Sequence, residues 1–192
     1  MPQKIPPGRG TLALVVGPSG AGKDALIDGA RHHFAGDPRY SFPRRLITRP
    51  SGSGEDHLPI DATEFAARAS AGDFLLYWQA HGLHYAIPGS VEAELRFGRC
   101  VIANVSRTII DEARAVLQPI MIVEVTAPAA TLTERLKRRG RENDADIAER
   151  LRRAALPRLR GADVHTIVTD RTLDQSVAAF CALLRAVTLD SR

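Results

Sequence analysis

Residues 17–24 read Gly17-Pro18-Ser19-Gly20-Ala21-Gly22-Lys23-Asp24. They lie between an apolar run at 11–16 (TLALVV) and a segment at 24–34 in which Ala25, Leu26, Ala30 and Phe34 recur at helical spacing. A short unbroken apolar run reads as a fully buried strand, so the order is strand, glycine loop, helix. Glycines let successive backbone N–H groups turn inward around an anion, and the helix N-terminus adds partial positive charge. With Lys23 closing it, the loop is a phosphate-binding P-loop, and the lysine reaches the β- and γ-phosphates of a nucleotide such as ATP. A plain glycine-rich turn would not bring both flanking elements and the lysine together.

One position departs from the pattern. The residue after the lysine is usually Ser or Thr, whose hydroxyl holds Mg²⁺; here it is Asp24. A carboxylate is a good ligand for a hard cation. It is also favoured in a first helical turn by the dipole alone. Both readings stand at this point.

A chain of 192 residues can bury one substantial core, or a core with a small inserted lobe. Cys100 and Cys181 form no CxxC or Cys/His cluster, which argues against a disulfide framework or a thiolate metal site. No apolar run approaches membrane-spanning length, and residues 1–10 (MPQKIPPGRG) lack a signal-peptide stretch. The expected setting is the reducing cytoplasm, with no membrane partner. The net charge of +4 is unevenly placed: residues 135–160 hold ten Lys/Arg against four Asp/Glu, and the rest of the chain 16 against 18. A localised polyanion fits that distribution better than a generally basic surface.

Along the chain, 1–10 reads as a mobile leader and 40–48 as a second strand. Residues 51–59 are loop by their Gly and Ser content, and 61–71 a helix with Asp61 and Glu64 in capping-box spacing. Strands at 74–80 and 83–87 flank a turn at His81-Gly82, and the whole of 40–88 reads as an inserted lobe. Strands at 99–105 and 120–125 then alternate with helices at 91–97, 108–117 and 128–139. A helix at 146–158, a short strand at 166–168 and a helix at 173–187 complete the order. Apolar strands alternating with helices mean an α/β fold, a parallel sheet flanked by helices.

Arg135 and Arg139 fall on one helical face, and Arg150, Arg152 and Arg153 lie on the next helix, across a break at 140–144. Such a pair of helices could be a solvated basic face, an RNA-binding element, or a lid whose guanidinium groups offset charge on a transferred phosphoryl group. Beside a P-loop the lid is the stronger reading, and no aromatic residue lies between 135 and 160 to stack a base. No general base is evident: His32 and His33 read as surface residues and His165 as structural. A phosphate acceptor, already ionised, would need none.

GPSGAGK, ITRP at 47–50, GEDH at 54–57, FLLYWQAHGLHYA at 74–86, RLKRRG at 135–140 and ERL at 149–151 occur in the order found in the guanylate-kinase-like P-loop kinases, which the chain resembles over nearly its whole length. Within that group it is most similar to the ribose 1,5-bisphosphate phosphokinases, through GKD at 22–24, TRP…GEDH, NVSR at 104–107 and RGREN at 139–143. The resemblance implies a single domain over 11–192 with a five-stranded parallel core. It also implies an acceptor-binding lobe at about 40–88 and an arginine lid at about 135–153. Arg49 and Tyr85 match residues that hold the acceptor phosphate in guanylate kinases, and His57 stands where those enzymes have a phosphate-binding Tyr. Ser106 and Arg107 replace an acidic strand end and would face a sugar phosphate. Leu76 and Ile87 stand where guanine is read, and would fill that space with apolar groups.

The expectation is therefore an Mg²⁺- and ATP-dependent phosphotransferase that makes 5-phosphoribosyl 1-diphosphate from ribose 1,5-bisphosphate. Gly17–Asp24 would hold ATP, Asp24 the metal, and Lys23, Arg135, Arg139 and Arg150 the transferred phosphoryl group. Alternatives are a guanylate kinase, a non-catalytic guanylate-kinase-like interaction domain, and an RNA-binding protein. Partners would be a small sugar phosphate and ATP, with no nucleic acid and a possible homodimer.

Overall fold

The computed structural model describes residues 10–50, 56–80, 82–139, 152 and 158–190. In chain order the elements are β1 (Leu12–Val16), α1 (Lys23–His33), β2 (Tyr40–Ser41), β3 (Arg45–Ile47), β4 (His57–Pro59), α2 (Ala62–Ala71), β5 (Phe74–Ala80) and β6 (Leu83–Pro88). They continue with α3 (Val91–Arg96), β7 (Cys100–Asn104), a 3₁₀ turn (Arg107–Ile109), α4 (Ile110–Val116), β8 (Ile120–Thr126), α5 (Ala129–Arg139), β9 (Val164–Val168) and α6 (Leu173–Asp190). The leader at 1–9, the loop at 51–55, His81, the break at 140–144 and most of the helix expected at 146–158 lie outside the described residues.

The buried apolar runs pair as expected. Five strands in the order β2-β7-β1-β8-β9 form an all-parallel sheet. Alternate residues feed two layers. Leu12, Leu14, Ala103 and Ile122 point to one face, where Leu76, Trp78 and Ile87 of the β5–β6 hairpin and Ile110 of α4 cover them. Ala13, Val15, Ile102 and Val123 point to the other, against Leu26 and Ala30 of α1 and Phe180 and Leu184 of α6. Each large side chain buried this way contributes about 1.5–3 kcal/mol. Helices α1 and α6 approach so closely that a Cβ on Gly29 would meet Val177 Cγ2 at 2.4 Å. Cys100 and Cys181 are buried in this layer, and burial pushes the Cys100 thiol up to about 12.

A second sheet, β4-β3-β6-β5, carries the hairpin. Its far face is covered by α2, whose Phe65 packs on Phe74, Leu46 and Ala86. Asp61 starts α2 by accepting from the Glu64 N–H at 2.8 Å, and Gly72 ends it.

Three expectations change. The single strand at 40–48 is two: β2 joins the main sheet and β3 the small one, with Pro43, which has no N–H to give, in the crossing. The loop at 51–59 ends in strand β4, parallel to β3. Gly10, placed in the leader, is buried and donates to Leu95 O at 2.7 Å.

Candidate active site

The loop leaves β1 pressed against β8. Gly17 has φ 144°, and a Cβ there would lie 2.0 Å from Val125 O. Gly22, at φ 89°, sets the entry into α1 in a conformation that side-chained residues avoid. Lys23 Nζ donates to Gly17 O at 2.8 Å and Pro18 O at 3.0 Å, so the ammonium lies across the loop it must serve. The open glycine cradle and this placed cation fit a nucleotide's phosphates.

Two residues hold the loop from other elements. Thr169, just past β9 and buried, donates its hydroxyl to Ala21 O at 2.8 Å. Arg135 of α5 donates to Gly20 O at 3.3 Å, Thr169 Oγ1 at 3.0 Å and Thr169 O at 3.0 Å. Arg135 thus clamps the loop to the strand end. The Arg139 side chain and Arg150 lie outside the described residues.

Asp24, the second residue of α1, is exposed, and its Oδ1 accepts from Asn104 Nδ2 at 2.7 Å. Its Oδ2 makes no hydrogen bond among the described residues. Magnesium is commonly held by one or two carboxylates together with substrate phosphates and water, so this single carboxylate at the loop's end fits that ion.

A cleft of about 480 Å³ adjoins the loop between α1 and β3, within the range of small-ligand sites. Helical spacing brings Asp24, Ile27, Asp28 and Arg31 to it from α1, and strand alternation brings Arg45, Ile47 and Arg49. Arg31 pairs with Asp28 at 2.7 Å and with Asp56 at 3.1 Å, tying α1 to the start of β4. His57 is 4% exposed, with Nε2 3.3 Å from Arg49 O.

The cleft therefore unites three of the expected residues: Asp24, Arg49 and His57. The others stand elsewhere. Tyr85 stacks on Trp78, with ring centroids 5.5 Å apart. Ser106 caps the 3₁₀ turn, accepting from the Thr108 N–H and hydroxyl. Arg107 pairs with Glu124, which is buried in β8. Leu76 and Ile87 require a correction: they face each other across β5–β6 in the core, 2% and 0% exposed, and neither lines the cleft. The positions to which sequence reasoning gave no role are Arg31, Arg45, Thr169 and Asn104, the last quoted only as part of NVSR. Counting seven residues on from Asp24, and four back from Arg49, would have found the first two.

No protein-family model matches the chain. It is 47% identical over 177 residues to the ribose 1,5-bisphosphate phosphokinase PhnN of Methylobacterium radiotolerans, covering 92% of this chain and 98% of that one. This chain belongs to the ribose 1,5-bisphosphate phosphokinase family. A second family member, from Acidiphilium cryptum, is 45% identical over 179 residues, 93% of this chain and 94% of that one. The chain is also 48% identical over 177 residues to a bifunctional ribose 1,5-bisphosphokinase-thymidine phosphorylase of Cupriavidus pinatubonensis, of whose length it spans 29%. Among solved structures it resembles a guanylate kinase from Anaplasma phagocytophilum, with a TM-score of 0.64 at 16% identity, covering 97% of this chain and 88% of that one. That likeness shows the fold of this phosphokinase family member: α/β, guanylate-kinase-like, with a P-loop. Among the described residues no helix is long and apolar enough to cross a membrane.

Proposed function

We propose that the chain is a kinase that transfers the γ-phosphoryl group of ATP to the 1-phosphate of ribose 1,5-bisphosphate, giving 5-phosphoribosyl 1-diphosphate and ADP. A 1-phosphate oxygen forms the new bond to phosphorus, and the bond from that phosphorus to the oxygen retained by ADP breaks. The acceptor phosphate has a second pKa near 6, so it is largely ionised at neutral pH and needs no base to remove a proton. That agrees with the lack of a general base in the sequence.

The observation that carries the reading is the cleft, in a chain 47% identical to a named family member. Arg31, Arg45, Arg49 and His57 line it beside the loop, and no Phe, Tyr or Trp does among the described residues. Such a wall suits a twice-phosphorylated sugar and offers no ring on which to stack a base. Arg49 and His57 hold the acceptor, as the resemblance implies, and Arg45 adds a second fork for its other phosphate. Tyr85 supports this sheet through Trp78, and Ser106 and Arg107 shape the end of β7.

Gly17–Asp24 holds the phosphates of ATP, and Lys23 swings from the loop carbonyls to the γ-phosphate as charge grows there. Asp24 takes the magnesium ion, which when bound neutralises charge on the β- and γ-oxygens. Arg135 keeps the loop in shape, while Arg139 and Arg150 belong to the proposed lid.

The test compares ADP release from Mg·ATP with ribose 1,5-bisphosphate and with GMP. The expected kcat/KM favours the sugar bisphosphate by about 10-fold or more, the worth of one charge-assisted hydrogen bond to its second phosphate. Equal or better turnover of GMP would overturn the proposal.

A further inference from the structure

In P-loop enzymes the metal is commonly served by a neutral hydroxyl on the loop's helix and a carboxylate at the end of a neighbouring strand. This chain has the same two positions with the charge on the other element. Asn104 is the last residue of β7, lies level with Val15 of β1, and reaches Asp24 of α1 across 80 residues of sequence.

We propose that Asn104 is a positioning residue that orients the Asp24 carboxylate for the nucleotide-bound metal, so that helix and strand have exchanged the charged and neutral halves of the metal site. The inference rests on the reading of Asp24 as the metal ligand. A carboxylate only accepts hydrogen bonds, so the amide must offer Nδ2–H, and the 2.7 Å bond fixes which oxygen is occupied. Oδ2 keeps no hydrogen bond among the described residues, and both residues line the cleft. The residue type matters. An Arg or Lys at 104 would orient Asp24 equally well but would cancel the charge that attracts a cation. An Asp at 104 beside Asp24 would set two like charges at hydrogen-bond distance. An amide orients without neutralising, as outer partners of metal ligands do.

The probe is Mn²⁺, titrated into the ADP-saturated protein and followed by electron paramagnetic resonance. Asn104→Ala should raise the Mn²⁺ Kd by about 10–100-fold, the usual cost of losing such a partner. ADP affinity in EDTA and the melting temperature should stay near wild type. Asp24→Asn should lose at least as much, and Asp24→Asn/Asn104→Ala should be no worse than Asp24→Asn alone, because Asn104 acts only through that carboxylate. The exchanged pair Asp24→Asn/Asn104→Asp should recover most of the lost affinity. Wild-type Mn²⁺ affinity in Asn104→Ala, or additive losses in the double variant, would overturn the role of Asn104 while leaving Asp24 in place. Wild-type affinity in Asp24→Asn would overturn the metal assignment itself. Should Asn104→Ala not fold, the exchanged pair decides, and no recovery over Asp24→Asn refutes the inference.

Discussion

Lys23 holds two loop carbonyls in the structure and would hold two phosphates in the proposed reaction, so its removal separates stability from catalysis. Lys23→Ala removes the hydrogen bonds to Gly17 O and Pro18 O, about 1–3 kcal/mol of stability. It should nevertheless lower kcat/KM by about 10³-fold, since the lost charge faces one that grows in the transition state. Circular dichroism and steady-state rates check both halves, and near-normal turnover in a folded Lys23→Ala protein would contradict the kinase mechanism. Lys23 and its glycines were legible because they are contiguous: eight neighbouring residues state the loop's chemistry. Asn104 and Thr169 act on the same loop from a distance. Their contacts arise from the parallel register of β1 with β7 and β8, and of β8 with β9, which no local spacing encodes. Leu76 failed for a related reason. Its neighbour Leu75 is also buried, at an irregularity between Phe74 and Leu76, so simple alternation cannot say which side faces a ligand.

At the level of elements, α4 is tied to the approach to β9 by one bidentate pair. Arg114 Nε donates to Asp163 Oδ2 at 2.8 Å and Nη2 to Oδ1 at 2.9 Å, and Nη2 also reaches Arg160 O at 2.9 Å. Gly161 makes room, since a Cβ there would lie 2.2 Å from Asp163 Oδ1. The hydrogen bond from Arg114 holds the Asp163 carboxyl below the usual carboxylate range, against a smaller opposing effect of burial. A carboxyl lowered on folding stabilises the protein above its unfolded pKa of about 4, and that contribution fades as pH falls through the folded value. Asp163→Asn should therefore cost about 1 kcal/mol at pH 7, allowing for side chains that are one-quarter exposed. The gap from wild type in urea midpoints should close as the pH falls below the unfolded value and through the lowered folded one. A gap that stays constant as the carboxyl is titrated would show that the pair contributes through packing alone. Longer elements such as β8 and α6 were readable because β8 is one unbroken buried run and α6 buries Phe180, Cys181 and Leu184 at helical spacing. Short β2, β3 and β4 were not: strands of two or three residues carry no period, and only the chain's crossing at Pro43 assigns them to different sheets.

For the molecule as a whole, the main sheet carries the phosphate loop, and the small sheet carries Arg45 with Arg49 just beyond it, so in the proposed reaction donor and acceptor would be served by separate layers that meet at the cleft. Arg45→Gln should raise the KM for the sugar bisphosphate by roughly 10-fold or more, the worth of one charge-assisted hydrogen bond, and change the KM for ATP less than twofold. Initial rates with each substrate varied in turn test this, and a parallel rise in both would show that the layers do not divide the work. The contact of Gly29 with Val177 has a consequence for the order in which the protein is made. Strand β1, the loop and α1 emerge from the ribosome well before Thr169 and α6, which brace and bury them. Chains are synthesised at about 5–20 residues per second. The nascent protein thus spends several seconds with its nucleotide loop written but unseated. A chain truncated before α6 would carry the full P-loop sequence without the helix that buries α1.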